Sequence, residues 1–152
     1  MTVDKAIVCG VDGSADSQAA LSLAARIADQ LGARLVLANA VEYAQSPHAV
    51  AGAFGPVGTR APVTATPDDP VQAGEQLLET MVEQAGLEQA ERRVIAGFAA
   101  EGLADLAEEH DAELIVVGSR GRGAFRSPSF GSVSASLIGV ARCPVVVVSA
   151  DA

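Results

Sequence analysis

Apolar positions along the chain switch between two periods. Residues 6–11 (AIVCGV) form a continuous apolar run, the mark of a strand covered on both faces. From Ser14 the pattern changes. Leu21, Ala24, Ile27, Ala28 and Leu31 recur at three and four residues, which predicts a helix capped by Ser14, running through Asp29 or Gln30 and stopped by Gly32. Residues 34–41 (RLVLANAV) predict a second strand. Asp69–Pro70 is a helix start, with Val71, Leu77, Leu78, Met81, Val82 and Ala85 as its apolar face and Gly86 as its stop. Residues 93–98 predict a weaker third strand and 100–109 a short helix with Leu103, Leu106 and Ala107 turned inward. Residues 113–118, containing LIVV, predict a strong fourth strand. A helix then runs from 130 or 131 to 141, and the last strand covers 144–149 (PVVVVS), opened by a proline that suits a strand's first residue.

Five strands and four helices in near-strict alternation predict an α/β domain with a mostly parallel sheet and helices on both faces. In such sheets ligands bind at the carboxyl ends of the strands, where the strand order reverses, and there the helices after strands one and four cover opposite faces. Residues 44–69 interrupt the alternation. Five of the seven prolines fall between Pro47 and Pro70, with Gly52, Gly55 and Gly58 among them. The alternation resumes afterwards, which predicts a flexible loop or lid within one domain covering 1–152, or an insertion without a role.

Composition narrows the function. Nineteen acidic residues against ten Lys plus Arg give a net charge of −9, which argues against nucleic-acid or anionic-membrane surfaces. Aromatic content is 3%, too little for stacking platforms along a single strand. Cys9 and Cys143 have neither CxxC nor histidine neighbours at metal spacing, so they read as small buried hydrophobes. No leader pattern and no apolar run near the ~20 residues of a membrane span is present, and the expectation is a cytoplasmic protein.

Against that acidic background, residues 118–134 (GSRGRGAFRSPSFGSVS) stand out. Gly118, Gly121, Gly123 and Gly131 let the backbone approach an anion, and the segment joins a buried strand to a helix N-terminus, where free N–H groups and the helix dipole favour phosphate. Arg120, Arg122 and Arg126 concentrate positive charge, and Ser132 and Ser134 add hydroxyls. It is not a Walker A loop, because GxxxxGK[ST] is absent and Lys5 is the only lysine. The bland alternative is a solvated connecting loop. Asp12, just past the first strand, can accept hydrogen bonds from ribose hydroxyls or a base amine, or can cap the following helix. Ala40 and Val41, ending strand two, can wall a base or simply pack.

Gly118-x2-Gly121-x9-Gly131-Ser132, with Asp12, the SRGRG stretch, GSVS and CPVVVV, resembles the ATP-binding class of the universal stress protein family over nearly the whole chain. The resemblance implies an open sheet of order 3-2-1-4-5 in a Rossmann-like, adenine nucleotide alpha hydrolase-like fold. It implies ATP, alone or with Mg2+ or Mn2+, as ligand. It also implies a homodimer formed through the last strand (Val145, Val146, Val147 and Val148) and a role as stress-response sensor or regulator. Carried over by position, Val11, Asp12, Ala40, Val41, Val117, Gly118, Gly121, Gly131, Ser132, Val133 and Ser134 would bind the nucleotide, with Arg120 reaching phosphate. The implied strand order also speaks against a Cys9–Cys143 disulfide, since strand four would separate the two strands.

No histidine or acid occurs between Gly118 and Ser134 to act as a base near a γ-phosphate. His48 and His110 fall elsewhere and read as surface residues. A binding or regulatory role with at most slow ATP hydrolysis is therefore expected. An ATP-cleaving enzyme on a related fold and a nucleotide-free interaction scaffold stay open as alternatives.

Overall fold

The computed structural model describes residues 4–41, 69–120 and 131–150. Five strands form one parallel sheet: β1 (Ala6–Gly10), β2 (Arg34–Val41), β3 (Glu91–Ala96), β4 (Ala112–Gly118) and β5 (Val145–Val148), in the order β3-β2-β1-β4-β5. The helices are α1 (Ala15–Leu31), α2 (Pro70–Ala85), α3 (Ala99–Glu109) and α4 (Ser132–Val140). The expected strand order is therefore observed, and each shared element boundary falls within two residues of the sequence reading.

The pleat sends alternate residues of each strand to opposite faces, and two cores result. Ile7, Cys9, Leu37 and Val116 meet Ala20, Leu21 and Ala24 of α1 and Leu78 and Met81 of α2. Val8, Val36, Ile115 and Val117 meet Leu103 and Leu106 of α3 and Leu137 of α4. Thus α1 and α4 cover opposite faces, and the order reverses between β1 and β4. Cys9 of β1 and Cys143, two residues before β5, are free thiols, with β4 between β1 and β5. Burial pushes the Cys9 thiol up to about 12, which keeps it protonated and unreactive.

One boundary differs instructively. Phe98, read as the end of the third strand, is the N-cap of α3. Gly97, at φ +127°, takes a backbone conformation that L side chains rarely adopt and ends the strand at Ala96. No described helix is long and apolar enough to cross a membrane.

The Pro/Gly-rich stretch at 44–69 lies outside the described residues except for Asp69, whose carboxylate accepts the Val71 amide at 3.1 Å and caps α2. Gly121, Arg122, Gly123 and Arg126 also lie outside them.

Candidate functional site

At the carboxyl ends of β1, β2 and β4 the sheet opens into a cleft of about 490 Å³, within the ~300–1,000 Å³ of small-molecule sites. Its apolar part is formed by Gly10, Val11, Ala38, Ala40, Gly97, Ala99, Leu103 and Val117. Its polar part is formed by Asp12, Ser14, Ser119, Arg120 and Gly131 through Ser134. Ten of the twelve residues expected from sequence thus line one cleft. Val41 is not among the lining residues. Its carbonyl accepts the Gly97 amide at 3.0 Å, and its side chain lies beside Gly74 of α2. Gly121 is outside the described residues.

The chain leaving β1 builds one wall. The Asp12 carboxylate accepts the Ser14 amide at 2.9 Å, a turn that sets up the helix start. Ser14, as expected, caps α1: its hydroxyl oxygen accepts the Ser17 amide at 3.2 Å. The same hydroxyl donates to the Arg120 carbonyl at 3.4 Å, tying the first wall to the second. Asn39, buried at the end of β2, donates from its side-chain amide to the Val11 carbonyl at 2.8 Å and fixes the ends of β1 and β2 together.

The second wall is the chain leaving β4 together with the start of α4. The N-cap of α4 is Gly131, which has no side chain to accept the first-turn amides. The N-terminus, with its share of the helix dipole, therefore opens on the cleft beside Arg120. The Ser134 hydroxyl, 1% exposed, lies 3.0 Å from the Gly131 carbonyl and 3.3 Å from that of Ser119. There it braces the wall from the rim of the cleft. The side chain of Ser132 is exposed.

Sequence reasoning missed the residue that anchors this wall. Asp16, in the first turn of α1, is 7% exposed. Its Oδ2 accepts the Ser119 hydroxyl at 2.6 Å and the Arg120 amide at 3.1 Å, and its Oδ1 accepts the Ala150 amide at 3.0 Å. The Ser119 hydroxyl above all, then the Ala150 amide, hold its carboxyl below the usual carboxylate range against the effect of burial, and the Arg120 amide and guanidinium add to this. Gly118 makes that arrangement possible. A Cβ there would stand 2.9 Å from the Asp16 backbone carbonyl carbon and 2.9 Å from the Ser17 nitrogen.

Chemically, the cleft offers a carboxylate that can accept from hydroxyls, an apolar trough, and a helix N-terminus with a guanidinium for an anion. Among the described residues no group of three or more His, Cys, Asp or Glu could hold a metal ion.

Comparisons with known proteins agree with this architecture. A sequence model of the Universal stress protein family matches residues 5–149. Universal stress proteins of Mycobacterium tuberculosis are 30% identical over 152 residues, covering 97% of this chain and 98% of theirs. A universal stress protein solved in complex with cAMP is 27% identical at a TM-score of 0.63, covering 95% of this chain and 96% of that one. The universal stress protein UspA from Lactobacillus plantarum shares the fold at a TM-score of 0.70, with 20% identity over 95% of this chain and 97% of that one.

Proposed function

Because the chain belongs to the universal stress protein family, we propose that it is a single-domain, cytoplasmic adenine-nucleotide-binding regulator whose cleft takes ATP or a related nucleotide. The observation that carries this reading is the convergence of Asp12, Arg120 and the open N-terminus of α4 on one cleft. A sugar and a phosphate need complementary things: acceptors for hydroxyls and donors for oxyanions. The two walls supply one each. The trough of Ala38, Ala40, Gly97 and Leu103 suits a flat base between them. The relative solved with cAMP supports adenine as that base.

In this reading Asp12 accepts from the ribose hydroxyls, Ala40 packs on the base, and Gly118, Gly131, Ser132 and Val133 approach ribose and phosphates through their backbones. Arg120 supplies charge. The donor set also fits a phosphate-bound Mg2+ or Mn2+, which would take one carboxylate ligand from Asp12 and complete its shell with phosphate oxygens and water. Such an ion would neutralise phosphate charge.

The regulatory output is a homodimer through β5. This strand ends the sheet, and Val145, Val146, Val147 and Val148 are all half-buried in the single chain. An apolar edge strand of this kind is a template for a second copy.

Calorimetry with ATP, AMP and cAMP tests the nucleotide reading. Wild-type protein binds at least one of them, and Asp12→Ala weakens binding by about 10–100-fold, the loss of one or two hydrogen bonds to a charged group. A wild-type protein that binds none, or an Asp12→Ala variant with intact affinity, overturns the assignment. Steady release of phosphate from Mg-ATP would instead favour an ATP-cleaving enzyme. Sedimentation with and without ATP tests the dimer.

A further inference from the structure

Asp16 does more than complement the dipole of α1. Three donors from two separate segments converge on its two oxygens. Oδ2 faces Ser119 and Arg120, which line the cleft, whereas Oδ1 faces Ala150, two residues beyond the end of β5. Ser119 is itself held on both sides. Its amide donates to the Val148 carbonyl at 2.7 Å, and its carbonyl accepts the Gly131 amide at 2.7 Å. The chain leaving β4, the N-cap of α4 and the chain leaving β5 therefore form one hydrogen-bonded network with a buried carboxylate at its centre. An ionised carboxylate, with acceptor sites on both oxygens and no proton of its own, suits all three donors.

Resting on the nucleotide reading above, we propose that Asp16 is a positioning residue that sets the phosphate end of the cleft and couples its occupancy to the end of β5. Asp16 does not line the cleft itself. It acts by fixing the Ser119–Arg120 backbone, which carries Arg120 and braces Gly131. A nucleotide that draws on Arg120 and the α4 N-terminus pulls on the same network that holds Ala150. The Asp16 side chain thus links the cleft to the end of β5, alongside the direct Ser119–Val148 backbone bond.

Asp16→Asn is the informative variant because it keeps size and shape. Its single carbonyl oxygen can serve one side, while its NH2 group meets N–H or O–H donors on the other. One arm of the network breaks in either orientation.

Two readouts separate positioning from plain stability. ATP and adenosine affinities are measured by NMR titration of wild type and Asp16→Asn. Amide hydrogen exchange of Ala150 is followed with and without ATP. The expected result is about a tenfold loss of ATP affinity, the scale of one charge-assisted hydrogen bond, with adenosine affinity unchanged. In wild type, ATP slows exchange at Ala150, and in Asp16→Asn it does not. Ser119→Ala removes one of the three donors and leaves the carboxylate. It loses less ATP affinity, and it serves as the test if the Asn variant fails to fold. Equal ATP affinity in wild type and variants overturns the proposal. So does an equal loss of ATP and adenosine, or an Ala150 exchange rate indifferent to ATP in wild type. A wild-type protein that binds neither ligand overturns the nucleotide reading first, and this one with it.

Discussion

Replacing Gly118 by alanine tests the packing that holds the two walls of the cleft. Gly118 has no left-handed backbone requirement. The glycine is there because α1 comes too close for anything larger. A Cβ would stand 2.9 Å from the Asp16 carbonyl carbon, 2.9 Å from the Asp16 Cβ and 2.9 Å from the Ser17 nitrogen. Comfortable carbon contacts lie near ~3.5–4.0 Å. The first turn of α1 must therefore retreat by roughly 0.6–1 Å, and two of the three contacts are backbone, which cannot rotate away.

Overpacking of this kind costs about 1–3 kcal/mol. The retreat also stretches the Asp16–Ser119 hydrogen bond, now 2.6 Å, and the Asp16–Arg120 amide bond, now 3.1 Å, each of the charge-assisted kind that contributes about 1.5–3 kcal/mol. Alanine restricts the unfolded chain and returns about 0.4–1 kcal/mol. The net expectation is a loss of about 2 kcal/mol or more, or a Tm lower by roughly 4–8 °C for a chain of this size. Urea unfolding followed by far-ultraviolet circular dichroism reads the midpoint, with an unchanged slope showing that stability alone has moved. A Gly118→Ala protein within about 0.5 kcal/mol of wild type would refute the close approach of α1 to β4.

Gly139 is the opposite case. It sits near the end of α4 with nothing within 4 Å of an added Cβ, so Gly139→Ala stabilises by up to about 1 kcal/mol through helix propensity, and the same urea titration checks it. The carboxyl of Asp16 is held below its ordinary value in the folded chain. Its contribution is therefore complete above the unfolded value near ~4 and is lost as pH falls below that toward the folded one. The stability gap between wild type and Asp16→Asn is widest at neutral pH and narrows below about pH 4. A gap that does not change with pH would contradict the network.

The strands and helices were legible because apolar period and cap residues agreed. The runs at 6–11 and 34–41 are bounded by Ser14, Gly32 and other stops, so the alternation and the parallel sheet followed, while the strand order came from the family resemblance and the register from the structure. Most of the cleft was legible for a related reason: glycines, three arginines and serines gather between a strand and a helix in a chain of net charge −9. What stayed hidden was long-range. Asp16 looks like any first-turn acid that complements the helix dipole. Its partners Ser119 and Ala150 are 103 and 134 residues away. Asn39 did carry a signal, since an amide inside RLVLANAV must find a partner when buried, and that partner is the Val11 carbonyl. Leu103 read correctly as an inward residue of α3. Its second role in lining the cleft depends on the bare backbone of Gly10, where an added Cβ would stand 2.8 Å from Leu103, and periodicity does not show that contact. Val41 differs from Ala40 by one step of the pleat, which turns it toward α2.

The central claim is that adenine nucleotide binds between the ends of β1 and β4. Amide chemical-shift mapping by NMR during an ATP titration tests it most directly. The predicted result is a set of shifts at Asp12, Ala40, Gly118 to Arg120 and Gly131 to Ser134. A second cleft at the opposite end of the sheet, lined by Ala33, Arg34, Leu35, Gly86 and Leu87, stays silent. Shifts confined to that second cleft, or no shifts at saturating ATP, would contradict the account.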